Sequence, residues 1–196
     1  SLLCYYFHNY CYFLHIFTFA MVVDIHTHNT HTHAQTIETV GIHPWYASTD
    51  DISEVECRAV ATDAIGEIGL DFACDVSRAE QERIFRAQLA IAERHKKPVV
   101  LHCVRAFEEV MCILRNYRLR AVIFHGFIGS TEQAQRAVAE GYYLSFGERT
   151  FRSPKTIEAM RHTPLSSLFV ETDESTTPIE AIYARLAELR GISVAD

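Results

Sequence analysis

None of the six cysteines (Cys4, Cys11, Cys57, Cys74, Cys103 and Cys112) forms a CxxC pair, which removes the zinc-finger and dithiol redox classes. Free thiols in a reducing cytosol are the expected state. Basic residues are also scarce: 18 Lys and Arg stand against 25 Asp and Glu, a formal net charge of -7. That excludes a broad basic face for gripping a nucleic-acid backbone. Any phosphate must be held by metal ions or by a few local cations. The first twenty residues, "SLLCYYFHNYCYFLHIFTFA", contain no Asp, Glu, Lys or Arg at all. A secretory signal needs a basic n-region and a small-residue cleavage site, and both are missing. As a membrane span the stretch is interrupted by His8, Asn9 and His15, and no basic flank orients it. Residues 1–20 therefore read as a hydrophobic extension outside the native fold, with a membrane anchor as the alternative. Met21, opening "MVVDIHTH", reads as the start of a cytoplasmic enzyme. No internal repeat or low-complexity segment breaks the remainder.

What is present is one domain's worth of alternating elements over residues 21–196. A chain of 196 residues supports one sizeable core, and 48% hydrophobic with 22% charged residues is ordinary for a soluble protein. Strands are expected at 22–26, 39–43, 63–67, 98–102, 121–125, 142–146 and 168–172. Helices are expected at 51–59, 77–95, 106–116, 130–140, 154–162 and 178–190. The clearest helix starts with the capping-box spacing of Ser77 and Glu80 and repeats Phe85, Leu89 and Ala92 at helical period. This alternation predicts an α/β fold, a TIM-type barrel of about seven parallel strands with surrounding helices. The barrel is incomplete, because a full one takes about 250 residues. The gap lies between His28 and Val40, where a crossover helix does not fit.

Apolar runs that end in a metal-binding side chain carry the chemistry. They are "VVDIHTH" (His26, His28), "AIGEIGLDF" (Glu67), "PVVLHC" (His102), "AVIFHGF" (His125) and "LFVETD" (Asp173). Strand ends deliver side chains to the rim where α/β active sites gather. Such residues seldom border a core without a partner. His26 and His28, two apart on a strand, share one face and can bind one ion. Asp24 precedes them on that face, placed to orient a ligand. Glu67, between Gly66 and Gly69, can bridge two cations where neutral histidines cannot. Taken singly, Glu67 also reads as a turn residue, and His102 and His125 as satisfied core histidines. Asp173 can ligate and accept a proton from water; Glu171 beside it is a salt-bridge candidate. Asp71 reads as a partner of the site or a turn cap, Cys103 as packing, and His31 and His33 as solvated loop residues. Arg105, Arg149 and Arg152 are phosphate-contact candidates or solvated surface residues. Two cations so held would activate water and clamp both oxygens of a phosphoester displacement.

From Val22 to Glu188 the chain resembles the TatD family of metal-dependent deoxyribonucleases, within the amidohydrolase-like barrels. The matching stretches are "DIHTH", "GIHPW", "AIGEIGLDF", "QERIFRAQLAIAERHKKPVVLHC", "HGFIGSTEQAQ", "GYYLSFG" and "ETD". The resemblance implies two divalent ions (Mg2+, Mn2+ or Zn2+). One is held by His26, His28, Glu67 and Asp173, the other by Glu67, His102 and His125. It places His43 of "GIHP" near a substrate phosphate and Arg105 among the substrate contacts. Departures are the unit missing after the HxH, "HCVR" in place of "HxR" (which shifts Arg105 by one residue), "ESTT" where a proline usually follows "ETD", and a shorter helical tail. The implied activity is cleavage of DNA phosphodiester bonds, with no membrane and no stable protein partner. Hydrolysis of another ester or amide at the same site is the alternative. A shortened barrel acting as a non-enzymatic metal-binding protein is the third reading.

Overall fold

A ladder of six parallel strands runs in chain order, each strand beside the next, with helices between them. The computed structural model describes residues 22–29 and 33–195; the extension over residues 1–20 and His31 lie outside the described residues. The strands are β1 (Thr39–Val40), β2 (Ala64–Asp71), β3 (Val99–Val104), β4 (Val122–Phe124), β5 (Tyr143–Phe146) and β6 (Leu168–Val170). The helices are α1 (Ile52–Arg58), α2 (Arg78–His95), α3 (Phe107–Leu114), α4 (Thr131–Ala139), α5 (Pro154–His162) and α6 (Ile179–Arg190). The apolar first half of β3 (Val99, Val100, Leu101) and all of β4 are buried on both faces, as parallel sheets require.

The seventh expected strand, 22–26, is reduced to isolated bridges. Val23 pairs with Gln35 on one side and Thr27 with Asp173 on the other, so the segment lies between the two ends of an open ladder. Only a short link joins His28 to β1, leaving few residues to extend the pairing. β1 likewise shrinks from the expected 39–43 to two residues. β2 is longer than expected and runs on to Asp71, so Glu67 sits inside a strand and not at its end. Ile65 pairs with Val99 but Ile68 with Leu101, one residue more on β2 than on β3. A bulge of this kind re-aims the side chains at it.

α2 supplies the best-developed helix–sheet contact. Ser77 caps it by accepting from the Glu80 N–H, and Lys96 at φ 53° ends it. Phe85, Leu89 and Ala92 are fully buried beneath it, in the core that also takes Ile65, Leu70, Leu101 and Phe124. Two buried glutamines interrupt that apolar stripe, one gripping the backbone just after β1 and the other the end of β2. Gln88 accepts from Ile42 N–H at 2.6 Å and donates to Ile42 C=O at 3.1 Å. Gln81 accepts from Asp71 N–H at 2.7 Å and donates to Asp71 C=O at 2.9 Å. The helix thereby fixes the backbone next to His43 and at Asp71. Among the described residues, no helix is long and apolar enough to cross a membrane.

Candidate metal centre

Glu67 stands in the middle of five imidazoles, and its two oxygens face different ones. Oε1 lies 2.8 Å from His26 Nε2 and 3.1 Å from His28 Nε2. Oε2 lies 2.7 Å from His125 Nε2, 3.6 Å from His102 Nδ1 and 4.0 Å from His43 Nε2. Asp173 joins the first half, with Oδ1 4.0 Å from His26 Nε2 and 3.8 Å from His28 Nε2. All six expected ligands, on five separate stretches of chain, converge at one end of the sheet.

Local structure explains how each arrives. Gly69, at φ 145°, pairs with His102, and a Cβ there would stand 1.9 Å from the His102 carbonyl oxygen. Only glycine permits this approach, which sets the Glu67 strand against the His102 strand. The Gly66–Glu67 peptide is cis. His125 follows the last residue of β4, and its N–H donates to Leu101 C=O at 3.1 Å. Asp173 N–H donates to His26 C=O and His28 N–H to Asp173 C=O, both at 3.0 Å, which locks Asp173 beside the HxH. Asp173 adopts φ 53°, a left-handed conformation that costs a non-glycine residue about 1–3 kcal/mol. Asp24 does not touch the histidines, contrary to expectation. Its fully buried carboxylate accepts from Thr172 N–H at 2.9 Å and Thr172 Oγ1 at 2.7 Å, holding the end of β6.

The surrounding groups orient the imidazoles. His102 Nε2 lies 3.2 Å from Asp71 Oδ2, leaving Nδ1 toward Glu67. His125 Nδ1 faces Glu171 Oε1 at 3.4 Å, too far for a well-formed hydrogen bond. His125 Nδ1 and both Glu171 oxygens are buried with no hydrogen-bond partner. Gly126 and Gly147 make room for Glu171: a Cβ on either would come within 3.3 Å of its side chain. His43 Nδ1 accepts from Trp45 N–H at 3.3 Å, which assigns the proton to Nε2.

Burial raises the Glu67 carboxyl, but hydrogen bonds from His102, His125 and His26 overcome it and hold the group well below the usual carboxylate range. Burial lowers His125, yet the negative Glu171 and Glu67 beside it push it up to about 10. His43 falls to about 4, through burial and the neighbouring His102. Asp173 is raised, chiefly by burial. Cations therefore suit the centre of this cluster, and His43 is neutral at pH 7.

Among the described residues, four groupings could hold a metal ion: His26, Glu67 and His125; His26, His28 and Asp173; His43, Glu67 and His102; and His125, Glu171 and Asp173. The donor set fits divalent cations: imidazole nitrogens, which bind an ion once unprotonated, with a carboxylate that offers one oxygen to each side. The buried, unpartnered His125 Nδ1 and Glu171 fit a site whose hydrogen bonds tighten when an ion is bound.

A family profile described as TatD related DNase matches residues 17–195. The chain belongs to the TatD family. It is 33% identical over 175 residues to the uncharacterized metal-dependent hydrolase YjjV of Escherichia coli (strain K12), covering 77% of this chain and 68% of YjjV. It is 36% identical over 147 residues to the 3'-5' ssDNA/RNA exonuclease TatD of the same strain, covering 69% of this chain and 56% of that one. The chain thus spans about half to two thirds of the length of these curated relatives. The crystal structure of YjjV superposes with a TM-score of 0.74 at 29% identity, over 82% of this chain and 71% of YjjV. The open ladder of six parallel strands matches the TatD barrel over that part of YjjV, as an incomplete barrel does.

Arg105 is exposed and lines a cavity of about 360 Å3 that reaches His125 and also includes Lys155, which sequence reasoning missed. Arg152 pairs with Glu148 at 2.8 Å. Cys103 packs against the core, its thiol pushed up to about 12 by burial, and His33 is exposed. Gln81, Gln88 and Trp45 were also missed. The signal for the glutamines was two polar residues seven apart in an apolar helical stripe.

Proposed function

We propose that this chain is a metal-dependent hydrolase that cleaves phosphodiester bonds, most directly those of DNA, within a single barrel domain over residues 21–196 in the cytoplasm. The observation that carries this reading is the split of Glu67, with one oxygen toward His26 and His28 and the other toward His125 and His102. One ion would be held by His26, His28, Glu67 and Asp173, and a second by Glu67, His102 and His125. Bound there, two divalent ions (Mg2+, Mn2+ or Zn2+) supply an activated water and neutralise charge on the phosphoryl oxygens.

The chain's own residues supply the rest. Asp173, whose carboxyl is raised by burial, takes the proton from the attacking water, since a base works best with its pKa near the working pH. His43, neutral with its proton on Nε2, donates to a phosphate oxygen and does not ligate. Asp71 and Glu171 hold His102 and His125 in the ring orientation that presents the other nitrogen. Arg105 and Lys155, at the cavity beside His125, hold flanking phosphates. The relatives named as a DNA and RNA exonuclease and as a metal-dependent hydrolase support this assignment.

The test is degradation of single-stranded DNA with Mg2+, Mn2+ or Zn2+, by the wild type and by Glu67→Ala. Activity in the wild type that is abolished in the variant is expected. Equal activity in both would remove the site; no activity on any ester or amide would leave a metal-binding protein.

A further inference from the structure

The turn that follows His43 points two consecutive aromatic residues at solvent. Trp45 and Tyr46, in the 3-10 helix Pro44–Tyr46, are each 54% exposed. Trp45 is nevertheless fixed. Its indole N–H donates to Asp71 Oδ2 at 2.7 Å, and the same oxygen lies 3.2 Å from His102 Nε2. The indole stands edge-on to His43, ring centres 4.9 Å apart, and 6.4 Å from His102. Tyr46 lies 6.3 Å from His43 on the same turn. His43 is the side chain between these aromatics and Glu67. No step of the hydrolysis uses the indole, yet one carboxylate ties it to the metal centre.

An exposed aromatic held in one orientation is what an unstacked nucleobase needs. Every base has a π-face, so stacking binds without reading sequence. A ring already anchored by a hydrogen bond loses little freedom when a base lands on it. With a net charge of -7 the chain has little electrostatic grip on a polynucleotide, so stacking has to contribute.

We propose that Trp45, with Tyr46 beside it, forms a subsite that stacks the base next to the scissile phosphate of a single-stranded nucleic acid. The subsite rests on the phosphodiester reading above. Bases inside a duplex are already stacked, so it favours single strands and frayed ends.

Trp45 is the one tryptophan in the sequence, so intrinsic tryptophan emission reports on this position alone. Wild-type protein with Mg2+ is titrated with a cleavage-resistant phosphorothioate oligothymidylate and with an abasic phosphorothioate strand of the same length. Binding of each is followed separately by the anisotropy of a dye on the strand. The thymidylate should quench the emission and the abasic strand should not. Trp45→Ala should weaken thymidylate binding by about tenfold, the worth of one stacked base. It should leave abasic binding unchanged, and Trp45→Phe, which keeps a ring without its anchor to Asp71, should restore part of the loss. Thymidylate binding without quenching overturns the subsite. So does equal weakening of both strands in Trp45→Ala, which would show that Trp45 only holds Asp71. DNA hydrolysis without quenching removes the subsite and leaves the nuclease. If neither strand binds, subsite and phosphodiester reading fall together.

Discussion

Replacing Glu67 by Gln keeps the shape of the side chain and removes its charge, which makes it the sharpest test of the centre. The wild-type carboxylate lies 2.8 Å from His26 Nε2, 3.1 Å from His28 Nε2 and 2.7 Å from His125 Nε2. An amide offers an acceptor to one side only and turns a donor N–H2 toward the other. In chelator, protonated His125 loses one of its anionic neighbours, while Glu171 still faces it at 3.4 Å. The loss should sit at the lower end of that for breaking a buried ion pair, about 3 kcal/mol. For a chain of this length that lowers Tm by roughly 6–12 °C. The response to metal should differ more. Wild type in metal at a hundred times Kd gains about 2.7 kcal/mol per site. The variant, lacking the shared carboxylate, should gain little. Differential scanning calorimetry with chelator and then with Mn2+ or Zn2+ reads both effects. A Glu67→Gln protein that melts with the wild type in chelator and rises equally with metal would refute the assignment of Glu67 as the shared ligand.

Glu171→Gln should weaken metal binding by about 10–100-fold, as expected for a group that orients a ligating His. Unchanged affinity in isothermal titration calorimetry would show that Glu171 does not hold His125. His125, raised to about 10, contributes stability to the metal-free protein that is complete below its ordinary value near 6.5 and is lost as pH rises through about 10. The gap in Tm between wild type and His125→Asn in chelator should therefore narrow from pH 6.5 toward pH 10, and a constant gap would contradict the pairing. Gly69→Ala puts a Cβ 1.9 Å from the His102 carbonyl oxygen at φ 145°, so it should abolish soluble expression or metal binding. Wild-type yield and affinity would mean that β2 and β3 do not approach as described.

Much of the fold and of the site was legible in the chain. α5 matches the expected span 154–162, because Pro154 at its first turn and the apolar spacing mark both ends. α2 was legible through its Ser77 cap and its Phe85, Leu89 and Ala92 stripe. The clustering of His26, His28, Glu67, His102, His125 and Asp173 was legible because polar side chains at the ends of buried strands need partners. The bulge was not, since a one-residue offset between β2 and β3 is a property of the pairing and not of β2 alone. For the same reason Glu67 was expected at the end of a strand and lies within one. The first strand was overestimated because an apolar run says nothing of how many neighbours it finds. Asp24 was misassigned because period-two reasoning gives a face, and the partner on that face is Thr172, which is 148 residues away in sequence.

That last pairing has a consequence for how the protein is made. Asp24 and Thr172 bring the segment that carries His26 and His28 to the end of β6, and the proposed metal-binding groups are drawn from residues 26 to 173. A growing polypeptide would expose most of its imidazoles long before Asp173 leaves the ribosome. Contacts this distant in sequence form late, because the entropy of a long loop must be overcome first. Tight metal capture would then wait for synthesis of Asp173, and a nascent chain would stay chemically idle until that residue meets the HxH segment.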